Sequence, residues 1–296
     1  MANTPSTDRF DADAFKDIVR YYNQTRFDYD VAWLNKDNLA VHFGFYDRNH
    51  TRHEEALYNT NRTLANISNI RQGCKVLDAG CGRGGSALWL AAERQAEVAG
   101  ISPVESQILE ARQQAEKRGL HSSVKFIVGD YCQTPFPDAS FDVVWACESL
   151  CHARQKSCFY QEAYRLLRPG GQLIIAEYIR SERTCSDKQE KRLMRWLNRW
   201  AIPDIDTAEE HRAHALGAGF SSFSLNDYTR YTWISLKNLY KIASRWLWAD
   251  YLLYALGIRS RSQHHNILGS RMQYQALKEG LWYYGVIWAQ KTAKHG

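Results

Sequence analysis

A chain of 296 residues, 45% of them apolar, is long enough for one large α/β domain with appendages or for two small domains. Lys and Arg outnumber Asp and Glu 38 to 32 without forming a dense basic run, so nucleic acid is not a required partner and an anionic small molecule is admissible. The seven cysteines form no CxxC pair and no Cys/His cluster at zinc spacing. With an N-terminus, MANTPSTDRFDAD, that lacks an apolar signal core, this predicts a cytoplasmic protein with reduced thiols and no candidate metal-ligating residues, the metal requirement staying open. The most apolar helical run, IASRWLWADYLLYALGI, carries Arg245 and Asp250 and is short for a span, so stable membrane insertion is not expected.

From Phe10 to about Asn69 the pattern is helical and rich in aromatics, interrupted by the turn-prone NKDN and HFGFYD. The period then changes. CKVLDAG reads as a buried strand feeding the helix GSALWLAAERQ, and AEVAGIS as a second strand before PVESQILEARQQAEKRG, where Pro103 suits a helix start. VKFIVGD and FDVVWAC are the next two strands; KSCFYQEAYRLLRPGG is a helix closed by proline and glycine, and QLIIAEY is a fifth strand. This alternation predicts βαβ units and a doubly wound, mostly parallel α/β sheet. Beyond Tyr178 come the helices SDKQEKRLMRWLNRW and TAEEHRAHALGAGF, then a sixth strand in SSFSLNDYT. Helices from Ile234 to about Gly257 and from about Leu268 to Glu279 precede a closing strand, LWYYGVIWAQK. The expected organisation is a helical lid segment over 1–70 and a sheet domain over 71–296, with cap insertions at about 181–205 and 232–280 above the sheet's carboxyl edge.

KVLDAGCGRGG poses the chemical question. Gly80, Gly82 and Gly85 fit the dinucleotide pattern GxGxxG, and the following helix offers unpaired N–H groups to an anion. Asp78, two residues before the first glycine, would sit against a pyrophosphate. An ammonium and a sulfonium beside a carboxylate satisfy both features, and S-adenosylmethionine (SAM) carries all three.

VLDAGCGRGG also resembles the first motif of class I SAM-dependent methyltransferases. VGDYCQTPFPDASFDVVWACESLCHA and LLRPGGQLIIAEY resemble their later motifs, in the same order, from about Gly73 to Glu177. The resemblance implies a Rossmann-like sheet of seven strands with one antiparallel, the last in sequence being the natural candidate. It implies that Asp78, Gly80 and Gly82 hold the methionine moiety, and that Asp130 binds the adenine amino group with Tyr131 beside the ring. GISPVESQ departs from the relatives that end the second strand in a ribose-binding acid. It is similar to a GISLSxxQ variant, which makes Ile101, Ser102 and Gln107 neighbours of ribose and adenine; Glu105 lies inside the helix. Tyr21–Asp47 and the closing strand resemble sterol and tocopherol C-methyltransferases, and the latter also prenyl-diphosphate C-methyltransferases; related N-methyltransferases share these strings.

A carbon nucleophile would leave a carbocation, which needs ring faces worth ~0.5–2 kcal/mol each and a base. Glu148 follows the fourth strand directly, with His152 one turn on, and these are the candidate catalytic pair; alternatively they are a helix-start charge and a pocket-wall histidine. Tyr21, Tyr22, His42, Tyr46 and Glu177 are candidates for the acceptor side. Arg192, Arg195 and Arg199 form a basic stripe that is either solvated or a receiver for diphosphate or carboxylate. The expectation is methyl transfer to carbon of an isoprenoid, sterol-like or aromatic acceptor. N- or O-methylation is the alternative, and a non-catalytic SAM-binding protein the second. No NPPY-like motif points to nucleic acid or protein methylation, and a homo-oligomer stays open.

Overall fold

The computed structural model describes residues 15–33 and 38–293; Phe10 to Ala14 and most of the NKDN turn lie outside them. The chain opens with helices α1 (Lys16–Ala32) and α2 (His53–Ile67), then alternates β1 (Lys75–Ala79), α3 (Gly85–Arg94), β2 (Glu97–Ser102), α4 (Glu105–Lys117), β3 (Val124–Val128) and β4 (Phe141–Cys147). It continues with α5 (Lys156–Leu166), β5 (Leu167–Arg180), α6 (Asp187–Arg199), α7 (Ala208–Ala218), β6 (Ser222–Asp227), α8 (Thr229–Ala255), α9 (Arg261–Lys278) and β7 (Trp282–Gln290). The sheet has seven strands in the order β3-β2-β1-β4-β5-β7-β6, and β7 runs antiparallel to both its neighbours. This is the doubly wound sheet expected, with the last strand reversed. One apolar cluster joins the sheet to α3, α4, α6 and α9, and a second joins it to α5 and α7.

Strand order reverses between β1 and β4, which pair in parallel. Crossovers leave in opposite directions there and open a crevice at the strands' carboxyl ends. Asp78, near the end of β1, and Glu148, just past β4, flank it. Above the crevice α9 packs against α1, α6 and α8.

Among the boundaries that differ from expectation, three have local reasons. Ser102 Oγ accepts the N–H of Val104, so α4 begins at Glu105 and Pro103 stays outside it. α5 ends at Leu166 because Arg168, preceding Pro169, is pushed out of helical geometry, and LRPGG joins β5. α9 starts two turns before Leu268, since Ser260 and Gln263 form a capping box that satisfies its first amides. All seven cysteines are free thiols.

Candidate active site

The crevice deepens into a cavity of about 1490 Å³, its solvent mouth included, bounded by the glycine turn, the ends of β2 and β4, α1, and the inner faces of α8 and α9. At the turn, Gly80 and Gly82 adopt φ of 86° and 52°, and the amides of Gly80 and Cys81 both donate to Ile101 O. A Cβ at Gly80 would stand 2.3 Å from Ser149 Cβ. Gly84, unmarked in the sequence reading, is the left-handed residue that starts α3, while Gly85 gives passage to the backbone of Asn38 and Leu39. Gly80→Ala is therefore expected to cost about 2–5 kcal/mol from backbone strain plus overpacking. Gly73→Ala, at φ 77° in open space, should cost only about 1 kcal/mol. Urea unfolding of the two variants checks the contrast.

Asp78 is buried and lines the cavity, and among the described residues its Oδ2 has no hydrogen-bond partner. Burial raises its carboxyl to about pH 7. A buried carboxylate with one oxygen left without a donor is costly unless a cation meets it. The amino group of SAM is such a cation, and the turn beside it leaves room for backbone approach; these residues fit the cofactor. Ser102 and Gln107 line the adjoining wall, Ser102 Oγ donating to Gln107 Oε1 at 3.2 Å, and Tyr131 closes it with its hydroxyl donating to Ser149 O at 2.9 Å.

Glu148 adopts φ 50°, a strained conformation for a side-chain-bearing residue that costs of order 1–3 kcal/mol. That turn aims the carboxylate into the cavity, where Oε1 accepts from Phe43 N (2.7 Å) and Tyr284 Oη (2.8 Å) and Oε2 from Tyr178 Oη (2.6 Å). Desolvation raises its pKa to about 8 against the pull of the Tyr178, Phe43 and Tyr284 donors. His152, also at the cavity, lies between Ala201 O on Nδ1 (3.2 Å) and Tyr22 Oη on Nε2 (3.0 Å). Burial lowers its pKa to about 4. The ring is thus neutral, with Nδ1–H donated to the carbonyl and the Tyr22 hydroxyl donating to Nε2.

Of the expected acceptor-side residues, Tyr21, Tyr22 and His42 line the cavity. Tyr46 and Glu177 do not. Tyr46 turns to His53 at 3.3 Å. Glu177 is wholly buried, Oε2 accepting from Cys151 N (2.8 Å) and Oε1 from Tyr178 N (2.9 Å). Neighbours on a strand face opposite ways, so with Tyr178 on the cavity, Glu177 must point beneath it. Ile101 is likewise a core side chain that serves the turn only through its carbonyl, and Asp130 stays off the cavity with Oδ1 accepting Cys132 N–H at 2.7 Å in a tight turn. Arg192 pairs with Glu279, and none of Arg192, Arg195 and Arg199 reaches the cavity.

Two clasps absent from the sequence reading hold α1 over the site. Arg83, inside the glycine turn, pairs with Asp30 of α1 and Glu110 of α4. Arg259 joins Asp28 of α1 (2.8 Å) to Asp250 (2.6 Å), and Asp250 also meets His264 at 2.6 Å. Asn266 donates to Asp28 at 3.3 Å and accepts from Tyr21 at 2.9 Å, making the α1–α9 end of the cavity polar.

Residues 77–175 match the model of a family described as a methyltransferase domain. The 27-O-demethylrifamycin SV methyltransferase of Amycolatopsis mediterranei is 32% identical over 220 residues, 74% of this chain and 75% of that protein. The chain is a SAM-dependent methyltransferase. This methyltransferase is also 34% identical over 175 residues, 59% of its length, to the sterol 24-C-methyltransferase erg6 of Aspergillus fumigatus. It spans 45% of that relative's length, so about half of the sterol protein has no counterpart in the match. In fold it is similar to geranyl diphosphate C-methyltransferase from Streptomyces coelicolor A3(2), solved with Mg2+, geranyl diphosphate and S-adenosyl-L-homocysteine. The TM-score is 0.71 at 18% identity, covering 98% of this chain and 100% of that one. No described helix of the methyltransferase is long and apolar enough to cross a membrane.

The residues that sequence reasoning missed are Tyr178, Tyr284 and the amide of Phe43 around Glu148, together with Asp28, Arg259 and Asn266. Only the strand alternation that separates Tyr178 from Glu177 was a usable signal; the rest meet across 105 to 238 residues of chain.

Proposed function

We propose that this methyltransferase transfers the methyl group to an alkene carbon of a neutral, isoprenoid or sterol-like acceptor. The observation that carries this is Glu148: a carboxylate on the cavity, held by two phenols and an amide, with a proton affinity raised to about pH 8. Asp78 holds the ammonium of SAM, Gly80 and Gly82 admit its methionine part, and Ser102, Gln107 and Tyr131 flank the nucleoside. Bound SAM supplies an electrophilic methyl group on a sulfonium whose sulfur leaves as a neutral thioether. The acceptor's π pair forms the new carbon–carbon bond, and the positive charge falls on the neighbouring alkene carbon. Tyr22, Tyr29, Trp33, Phe43 and Tyr178 line the cavity and offer ring faces or edges around that charge. Glu148 takes a proton from the adjacent carbon, its C–H pair becomes the new double bond, and the raised pKa lets the carboxyl keep that proton until solvent removes it.

Among the described residues no Lys or Arg lines the cavity, which disfavours a diphosphate-bearing acceptor and supports a neutral one. A second reading, transfer to oxygen, is favoured by the rifamycin relative, of which the chain covers 75%. There the acceptor's hydroxyl would give its proton to the Tyr22 oxygen as the Tyr22 hydroxyl proton passes to Nε2 of the neutral His152. Incubating the enzyme with methyl-13C SAM and either a side-chain-unsaturated sterol or 27-O-demethylrifamycin SV separates the two. The label is expected on sterol carbon; a methoxy resonance alone would reject the carbon reading.

A further inference from the structure

The outer surface of α8 has a composition that the active site does not use. Residues 237, 241, 245, 248, 252 and 256 recur at intervals of three or four and share one helix face. The first three are Lys237, Lys241 and Arg245, all exposed. The next three are Trp248, Leu252 and Leu256, exposed by 71%, 54% and 64%. Tyr251 and Ile258 flank them with 51% and 67% exposure, and Trp246, on another side of the helix, is 58% exposed. An outward helix face should be polar, and among the described residues nothing packs on this one. The helix carries one acid, Asp250, which is buried and engaged by Arg259 and His264. The outer surface is therefore cationic along its length and apolar at its end.

We propose that this end of α8 docks on a lipid bilayer surface bearing anionic headgroups. Tryptophan and tyrosine suit the headgroup boundary, leucine and isoleucine the acyl region just below, and a Lys/Arg row the negative surface potential. α1 adds Phe27 and Val31, exposed by 63% and 70%, at the same end of the molecule, because Asp28 is tied to Arg259 beside Ile258. The inner side of the same helix supplies Leu239, Ile242 and Ala243 to the cavity wall. A helix that is apolar toward both bilayer and cavity gives a poorly water-soluble acceptor a short way between them. This surface stands apart from the choice between carbon and oxygen as the methylated atom.

The test is co-sedimentation of the full chain with vesicles of mixed zwitterionic and anionic phospholipid, against purely zwitterionic vesicles, with tryptophan emission read in parallel. The wild type should bind the anionic vesicles with a blue shift. Lys237→Glu/Lys241→Glu/Arg245→Glu should weaken binding by roughly a hundredfold or more, each lost charge counting about one kcal/mol. Trp248→Ser/Leu252→Ser should abolish the blue shift. S-adenosylhomocysteine binding measured by calorimetry, unchanged in both variants, reports that they are folded. Absence of wild-type binding to anionic vesicles, or equal binding to the two vesicle types, overturns the proposal. So does a wild-type dimer that Trp248→Ser/Leu252→Ser dissolves while vesicle binding persists, which would make the face a contact between two copies.

Discussion

Glu148→Gln is expected to lower kcat by about 10²–10⁴-fold while leaving SAM affinity within a factor of a few. Glutamine keeps the shape of the side chain, its oxygen still accepts from Phe43 N and Tyr284, and its NH2 donates to the Tyr178 oxygen, but it has no lone pair basic enough to accept a proton from carbon. Because the group must be ionised to act, wild-type activity should climb with pH and level off above about 8, the point to which burial raises this carboxyl. The variant should lose that limb altogether. Its stability should not fall at alkaline pH, since the exchange removes a charge from a buried site. Pre-steady-state turnover with labelled SAM across pH 6 to 9 measures the rate and its limb, calorimetry the SAM affinity, and urea unfolding across the same range the stability. A variant that keeps wild-type turnover, or an unshifted pH limb, would remove Glu148 from the chemistry and turn attention to His152.

Asp78→Asn should weaken SAM and S-adenosylhomocysteine binding by about a hundredfold, the worth of a charge-assisted contact made away from water. The pH dependence follows from a carboxyl raised from 3.8 to about 7 by burial. Between those values the folded protein keeps a proton that the unfolded chain has released. Without ligand, this group therefore makes stability decline as pH rises through that window, and the decline is complete above about 7. An ammonium placed against Asp78 favours its ionised form, so below pH 7 binding must expel a proton. Wild-type affinity should thus rise from pH 5.5 to 7.5 and then flatten, with proton release visible by titration calorimetry in buffers of different ionisation enthalpy. Asp78→Asn should bind weakly at every pH in that range with no release from this site. Should wild-type affinity stay flat, or the variant bind within threefold of wild type, the ammonium does not lie at Asp78.

Much of the site was legible because its determinants are short-range. The strand–glycine–helix turn with Asp78 occupies eleven residues, and the positive φ of Gly80 and Gly82 is a property of the backbone at those positions. Glu148 was legible as the first residue beyond a buried strand. The structure departs from expectation where orientation had to be inferred. Glu177 and Ile101 face away from the cavity, and a shift of one residue reverses a side chain's direction. Asp130 lies at the expected strand end, where its Oδ1 accepts the N–H of Cys132 in a local turn.

By itself, then, the order of strand and helix patterns determined a doubly wound sheet with its ligand at the carboxyl edge, and strand pairing placed the crevice between the ends of β1 and β4. The turn residues determined that a positively charged, amino-bearing ligand belongs at that crevice. Only the tertiary structure decided which side chains surround the reacting region. Phe43, Tyr178 and Tyr284 converge on Glu148 from three separate elements, and Asp28 meets Arg259 across 231 residues. Such meetings depend on strand register and helix packing summed over the whole chain, which local propensities do not encode.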